Sequence, residues 1–346
     1  MAIVYPNLTF ERELAGLTHE WPGRLLSMVP HLMVLGGPDD VFLSPVAFEP
    51  PAALRGCLPA VRAQSQLFEL GSSGPLVPWG ASASAATLAH KLGVDLAWAA
   101  CAEASRLNSK VFSSGLASRL GVDPGQCCVA ATVEEVETAA ACFAPGQSFV
   151  IKERLGFGGQ GRLLARGPSL TANETRWLRR PLARGPLVIE PWLERIEEFS
   201  TQMFIDELGG VRLVGHVKGL DTPGGRYGGS RVGCVSSDMS KELYATAHPV
   251  ALELAQLGAR GPVGIDAFTY KTDAGAALRP LVEINVRYTF GAIALMWAER
   301  LGHARGTWRF VDAAKVEAHR AAGATLTSPT QVGGVAAPRV AMFMPE

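Results

Sequence analysis

Three lobes of mixed α/β and α+β structure are predicted, and three observations predict them. In residues 1–105, short apolar runs with Gly and Pro punctuation alternate with helical spacing, the pitch of a parallel α/β unit. In residues 106–187, helices and strands mix, and a glycine-rich turn follows a strong strand. In residues 188–346, strands dominate around one long helix. With 346 residues, 48% of them hydrophobic, the chain has ample material for cores in lobes of this size.

Within the first lobe, His31–Leu35 and Val41–Leu43 flank Gly36-Gly37-Pro38-Asp39-Asp40 and read as strand, turn and strand. Helical spacing covers Leu54–Ala63 and Ala81–Leu92. A strand at Pro75–Val77 and the turn Pro78-Trp79-Gly80 precede the second of these helices. The Ala-rich runs Val94–Ala104 and Val129–Ala141 are cut by Asp and Glu and read as soluble helices. The middle lobe opens with a helix over Ser109–Leu120 that stops at Gly121. A strand at Gln126–Ala131 follows, with Cys127 and Cys128 as core residues. Thr132-Val133-Glu134-Glu135 then spells a capping box. After a strand at Ser148–Lys152 come those of the third lobe: Leu187–Glu190, Ser200–Asp206, Arg212–Lys218, Val263–Tyr270 and Pro280–Asn285. A helix spans Lys241–Leu257, and Val340–Met344 is expected as an edge strand.

The charge balance narrows the functional classes. With 32 basic and 32 acidic residues the net charge is zero, so there is no electrostatic footprint for nucleic acid. Only 18% of residues are charged and none form a block, which argues against disorder. The opening MAIVYPNLTFERELAG lacks a basic leader and an apolar core, so no secretory signal is expected. No run approaches the about 18–20 apolar residues that cross a bilayer, so no membrane partner is expected. Six cysteines without CxxC or Cys/His spacing suggest neither a disulfide framework nor a zinc site, and a cytoplasmic location is expected.

Two constellations carry chemistry. In the first, Lys152 ends a strand and Gly156, Gly158, Gly159 and Gly161 follow within the next nine residues. Glycines at such a site let backbone N–H groups approach phosphate oxygens, and a lysine at the strand end would neutralise their charge. Because the lysine precedes the glycines, the pattern is not a P-loop; Gly36-Gly37 is likewise no dinucleotide fingerprint. A plain hairpin turn is the competing reading. Only seven of the basic residues are lysines, which gives weight to Lys152 and to Lys110 in Asn108-Ser109-Lys110, although a solvated lysine would explain the latter.

In the second, Glu283, Asn285 and Arg287 alternate onto one face of a strand, with Val282 and Ile284 on the other. Asp266 interrupts the apolar strand Gly264-Ile265-Asp266-Ala267-Phe268. If the two strands pair as a hairpin across Lys271–Leu278, Asp266 and Glu283 converge. Two carboxylates and an amide oxygen suit Mg²⁺. A surface-facing polar strand edge is the alternative.

Together these pieces resemble the ATP-grasp superfamily over roughly residues 105–300. The order fits: NSK entering a helix, a strand ending in lysine, a glycine flap, an acidic hinge strand, then Asp and Glu-x-Asn. The resemblance implies an N-terminal parallel α/β lobe and two α+β lobes gripping ATP. It implies that Glu190 and the backbone at Trp192 and Leu193 meet the adenine edge. Glu198, with Glu197 as the alternative register, would accept from the ribose hydroxyls. Lys110 and Lys152 would contact the α- and β-phosphates beneath a flap with Gly158, Gly159 and Gly161. Asp266, Glu283 and Asn285 would hold one or two Mg²⁺, with Mn²⁺ as a substitute, and Arg287 would stabilise an acyl phosphate. One departure is that Pro262-Val263-Gly264 lacks the arginine some members carry two residues before the aspartate, a role left to Arg287. The N-terminal lobe shows no signal of a D-alanine ligase, a biotin carboxylase or a purine-pathway enzyme, so the subfamily stays open.

The activity implied is ADP-forming ligation of a small-molecule carboxylate to an amine, an amino acid or short peptide among the candidates. A phosphotransferase and a catalytically silent ATP-binding protein are the alternatives. On the acceptor side, Arg226 and Arg231 lie in a Gly-dense loop and are expected to face the site, unless that loop is ordinary surface. A homodimer is the default expectation for a soluble enzyme.

Overall fold

The computed structural model describes residues 1–17, 21, 23–64, 74–156, 161–220 and 227–346. Four short strands open the chain: β1 (Ile3–Tyr5), β2 (Val41–Ser44), β3 (Ala60–Ala63) and β4 (Leu76–Pro78). They form a parallel sheet in the order β3-β2-β1-β4. The helix Ala83–Leu92 follows, capped by Ser82 at its start and ended by Gly93 in the left-handed region.

Three expectations for this region fail, each for a physical reason. Val29–Leu35 is a 3₁₀ helix rather than a strand at His31–Leu35. A five-residue apolar run cannot distinguish the two by periodicity, and Pro30 sits in the first turn, where its missing N–H costs nothing. Leu54–Ala63 is not a helix: only Ala52–Leu54 winds, as 3₁₀, and beyond Pro59 the chain is β3. Val94–Ala104 is mostly irregular; Gly93 has already terminated the preceding helix, and Leu96 makes a single bridge to Leu76.

The middle sheet has the order β5-β8-β6-β7, from β5 (Cys128–Ala130), β6 (Ser148–Lys152), β7 (Arg162–Arg166) and β8 (Leu187–Pro191). All its pairs are antiparallel. The helices Val133–Ala141 and Ala172–Leu182 both start with complete capping boxes, at Thr132 and at Thr171. Phe149, Ile151, Leu178, Leu187 and Ile189 make a core belonging to this sheet alone. Cys127 and Cys128 are only half-buried, and all six cysteines are free thiols.

The large sheet is antiparallel. It comprises β9 (Arg195–Ile205), β10 (Val211–Gly219), β11 (Gly229–Val232), β12 (Gly261–Thr272), β13 (Gly275–Asn285), β14 (Gly306–Asp312), β15 (Thr325–Leu326) and a late strand, β18 (Arg339–Pro345). Two short strands, β16 (Gln331–Val332) and β17 (Val335–Ala336), pair apart from it. The order is β13-β12-β9-β10-β11-β14-β18-β15. The run Val340–Met344 is therefore an inner strand, since β15 covers it on the far side. The helix Ser237–Gln256 packs on one face through Val250, Ala251 and Leu254; on the other face, Phe290–Arg300 packs through Ile293 and Trp297.

Two packing facts decide how the lobes meet. Val4, Phe10 and Phe42 of the first lobe share one core with Val217, Trp297, Trp308 and Phe343 of the last. The helix Lys110–Arg119, expected with the middle lobe, buries Phe112, Leu116 and Ala117 against Ile265 and Ile284 of the large sheet. Among the described residues, no helix is long and apolar enough to cross a membrane.

The entry to β12 is tightly specified. Gly261 has φ +87, and a Cβ there would lie 2.6 Å from the Trp98 indole. Gly261→Ala is expected to cost about 2 kcal/mol or more, because positive-φ strain and overpacking add. A lowered urea midpoint would show it, and an unchanged midpoint would mean the Trp98 contact yields easily.

Candidate functional site

Register brings the expected carboxylates together. β12 and β13 pair as a hairpin, with Asp266 directly opposite Glu283 and Gly264 opposite Asn285. Opposite residues share a face, so Asp266, Glu283 and Asn285 project on one side. Pro280, which has no N–H, lies where the ladder slips between the Asp266–Glu283 and Phe268–Arg279 pairs.

Three consecutive residues build the adjoining corner. β13 is the edge of the sheet, and its outward N–H groups would otherwise lack partners. Asn108 Oδ1 accepts from the Val286 N–H at 2.8 Å, and Ser113 Oγ accepts from the Ile284 N–H at 3.1 Å. Ser109 caps the helix, accepting from the Phe112 N–H at 3.1 Å. Lys110 then donates from Nζ to Glu283 Oε1 at 2.8 Å and to the Gly156 carbonyl at 3.3 Å.

A polar chain runs beneath the carboxylates. Thr289 Oγ1 donates to Gln202 Oε1 at 2.7 Å, Gln202 Nε2 to Ser200 Oγ at 2.7 Å, and Ser200 Oγ to Asp266 Oδ1 at 2.7 Å. Asn285 Nδ2 donates to Asp266 Oδ2 at 3.2 Å, and Arg287 Nη2 to Asn285 Oδ1 at 2.8 Å. Arg287 also donates to the Tyr288 carbonyl at 2.7 Å, lies 5.5 Å from the Trp79 ring centre, and is ion-paired with Glu11. Burial and the Glu283 charge push the Asp266 carboxyl up to about 6. Burial would also raise Glu283, but Lys110, with Lys152 and Arg287, holds that carboxyl below its usual range. The two half-buried carboxylates, with an amide oxygen at their edge, repel each other, and Arg287 offsets the charge of both. That donor set fits a hard divalent cation. Among the described residues, no three His, Cys, Asp or Glu side chains converge; the third donor here is the Asn285 amide.

The phosphate-side lysine has different company. Lys152 ends β6 and is ion-paired with Glu190 Oε1, while Arg279 Nη2 donates to Glu190 Oε2 at 2.7 Å. Both oxygens of Glu190 are thus engaged and the side chain is buried, so any adenine contact by this residue falls to its main chain. Burial alone would raise the Glu190 carboxyl, but Lys152 and Arg279 hold it down to about 2. Burial lowers the Lys152 ammonium despite that carboxylate. At the flap base, the Glu153 N–H donates to the Gly161 carbonyl at 2.7 Å; Gly161 has φ +69, and a Cβ there would meet the Glu153 side chain at 3.0 Å. Gly158 and Gly159 lie outside the described residues, as does Arg226.

Trp192, Leu193 and Glu194 form an irregular link between β8 and β9. The Trp192 N–H donates to the Ser148 carbonyl at 3.0 Å. Its exposed ring has the Arg162 and Arg195 guanidinium groups 5.7 and 5.8 Å from its centre. Leu193 is half-buried beside it. Strand alternation separates the two glutamates: Glu198 shares the face of Ser200 and Gln202, whereas Glu197 lies on the other and pairs with Lys218. Glu198 is half-exposed and ion-paired with Arg195.

Arg231 is not brought to this site. It stands in the row Ala267, Phe199, Lys218, Arg231, Thr307, one step out of phase with the row Asp266, Ser200, Val217, Val232. Successive rows project to opposite faces, so Arg231 lies on the face away from the carboxylates, which corrects the expectation of a catalytic role. Ser230 is on the carboxylate face, with Tyr227 hydrogen-bonded to it at 2.9 Å. Sequence reading missed Glu11, Ser200, Gln202 and Arg279. The alternation Glu198-x-Ser200-x-Gln202 was a usable signal for two of them; Glu11 and Arg279 left none.

No protein-family profile matches the sequence, and no curated protein matches it. Solved structures do. N5-carboxyaminoimidazole synthetase from Staphylococcus aureus, complexed with ADP, aligns over 100% of this chain and 92% of its own, with 12% identity and a TM-score of 0.60. The biotin carboxylase domain of Hydrogenobacter thermophilus 2-oxoglutarate carboxylase, complexed with MgADP and bicarbonate, covers 99% of this chain and 85% of its own, at 12% identity and TM-score 0.62. An Archaeoglobus fulgidus protein assigned to the ATP-grasp superfamily covers 100% and 99%, at 12% identity and TM-score 0.52. Likeness of this extent establishes the ATP-grasp fold for the chain.

Glu190→Gln leaves two buried cations facing a neutral amide and is expected to cost about 3–5 kcal/mol near neutral pH. A carboxyl held down to about 2 against its ordinary 4.5 contributes fully above about pH 4.5 and loses that contribution as pH falls toward 2. The stability gap between wild type and variant, read by urea titration, should therefore shrink at about pH 3. Equal stability near neutrality would remove the pairing.

Proposed function

We propose that the chain is an ATP-dependent, ADP-forming ligase that activates a carboxylate as an acyl phosphate and couples it to an amine. One observation carries the proposal: on an ATP-grasp scaffold, Asp266 lies opposite Glu283, Asn285 adjoins them, and Lys110 and Arg287 touch the same cluster. The descriptions of ADP, MgADP and bicarbonate in structures of the same fold support it.

In this reading Asp266, Glu283 and Asn285 hold one or two Mg²⁺, and Mn²⁺ would use the same oxygen donors. When bound, the ion neutralises phosphate charge and orients the transferring group. Lys110 and Lys152 bind the α- and β-phosphates, each fixed by a carboxylate that keeps its ammonium in place. The phosphate-side role of Gly158 and Gly159 concerns residues outside those described; Gly161, at the base of that turn, is the described part of it. The Glu190, Trp192 and Leu193 main chain meets the adenine edge, and Glu198, on the carboxylate face, accepts from the ribose. Arg287, with Glu11 and Trp79 fixing its guanidinium, stabilises the anionic acyl phosphate through the N–H groups its protein contacts leave over. The amine then displaces phosphate. The carboxylate and the amine are small molecules, an amino acid or short peptide in the first instance, and the setting is the cytoplasm, with a homodimer as the assembly.

The test is product analysis with Mg-ATP, pooled organic and amino acids, and hydroxylamine as the trapping amine. ADP, phosphate and a hydroxamate, all dependent on one acid, are expected. ADP with no hydroxamate would favour phosphoryl transfer to another acceptor, and ATP binding with no turnover on any acid would favour a silent binder. Glu283→Gln should lower Mg²⁺-dependent turnover by about a hundredfold or more with the circular dichroism unchanged, and retained activity would exclude Glu283 from the metal site. Lys152→Ala should weaken ATP binding about tenfold; an unchanged affinity would detach the flap from the nucleotide.

A further inference from the structure

We infer that Arg279, which no motif singles out, is a positioning residue for nucleotide phosphate: by taking one oxygen of Glu190 it leaves Lys152, on the other oxygen, with charge to offer. The inference rests on the nucleotide-binding reading above and adds a residue to it.

Arg279 lies on β13, four positions before Glu283, and its side chain is 3% exposed. The slip in the ladder at Pro280 sets it opposite Phe268, and its guanidinium lies 5.7 Å from that ring's centre. From there Nη2 reaches Glu190 Oε2 at 2.7 Å, on a strand of a different sheet. The buried group contains two cations and one carboxylate, Lys152, Arg279 and Glu190, and therefore carries a surplus positive charge. Among the described residues no further carboxylate is ion-paired with these side chains. Glu283 is already paired with Lys110; Asp123 contributes to the Arg279 environment without an ion pair, and the Cys127 thiol, pushed up to about 12 chiefly by burial, stays neutral.

A buried surplus charge is unfavourable until an anion reaches it. Lys152 Nζ has three donors, and among the described residues Glu190 accepts its hydrogen bond. Without Arg279, the Glu190 carboxylate would be balanced by Lys152 alone. That pair would be neutral and closed on itself, and a phosphate would have to compete with a buried ion pair for the same ammonium. Arg279 relieves this competition from a distance, touching Glu190 and not the nucleotide.

The experiment is titration calorimetry of the full-length protein with ADP and, separately, with adenosine, which lacks the phosphates. For wild type both should bind. Arg279→Met should lower ADP affinity about tenfold and leave adenosine within about twofold, while Arg279→Lys should keep most of the ADP affinity. A purely structural role would weaken both ligands alike, and that result, or an unchanged ADP affinity, overturns the inference. A wild type that binds neither ligand overturns the nucleotide reading itself. Should Arg279→Met fail to fold, Glu190→Gln is compared with the double variant Arg279→Met/Glu190→Gln, in which a neutral pair replaces the ion pair. Equal ADP affinity in those two supports action through Glu190, and a further tenfold loss in the double variant overturns it.

Discussion

Asp266 and Glu283 face each other across adjacent antiparallel strands, two half-buried carboxylates held side by side by backbone register. Like charges so placed are unfavourable, and the surrounding structure can be understood as what makes the arrangement tolerable. Ser200 and Asn285 donate to Asp266, Lys110 neutralises Glu283, and burial pushes the Asp266 carboxyl up to about 6. What these contacts leave over is a concentration of oxygen donors that suits a hard cation. The register comes from a hairpin whose regular pairing at Asp266 gives way immediately afterwards, beside Pro280.

A second pattern repeats around this centre. Each cation pointing toward it is held by a carboxylate from a different segment of the chain: Lys110 by Glu283, Lys152 by Glu190, Arg287 by Glu11. One of these partnerships joins separate lobes, and a further ion pair, Glu190 with Arg279, joins separate sheets. Glu11 belongs to the first lobe and Arg287 to the last, while Glu190 ends a strand of the middle sheet and accepts from Arg279 of the large one. Such pairs add little net stability compared with apolar packing, but breaking one partner is costly, so they fix relative geometry.

The apolar cores divide the work differently. The first lobe is fused to the large sheet through a common core containing Phe10, Trp297, Trp308 and Phe343. The middle sheet has a core of its own and reaches the large sheet through the irregular link Trp192–Glu194 and the Glu190 ion pairs. The connection to the middle sheet is thus made largely by polar and charged groups, whereas the first lobe and the large sheet share a hydrophobic core.

Local chemistry in the sequence was sufficient for much of this. The capping box at Thr132, the strand Ser148–Lys152 and the hairpin that pairs Asp266 with Glu283 all follow from residues close together in the chain. Side-chain alternation and cap geometry are short-range, so they survive without knowledge of the fold. Ambiguity began where a run was too short to show its period, as at His31–Leu35, or where a single breaker such as Pro59 or Gly93 outweighed an otherwise helical pattern. Tertiary structure alone decided which charges meet. Glu11 is 276 residues from Arg287 by numbering, and Glu190 is 89 from Arg279. Arg231 looked as suitable as Arg287 until register placed it on the opposite face. An ion pair depends on separation in space, and that separation is set by how sheets pack, which no local pattern in the chain encodes.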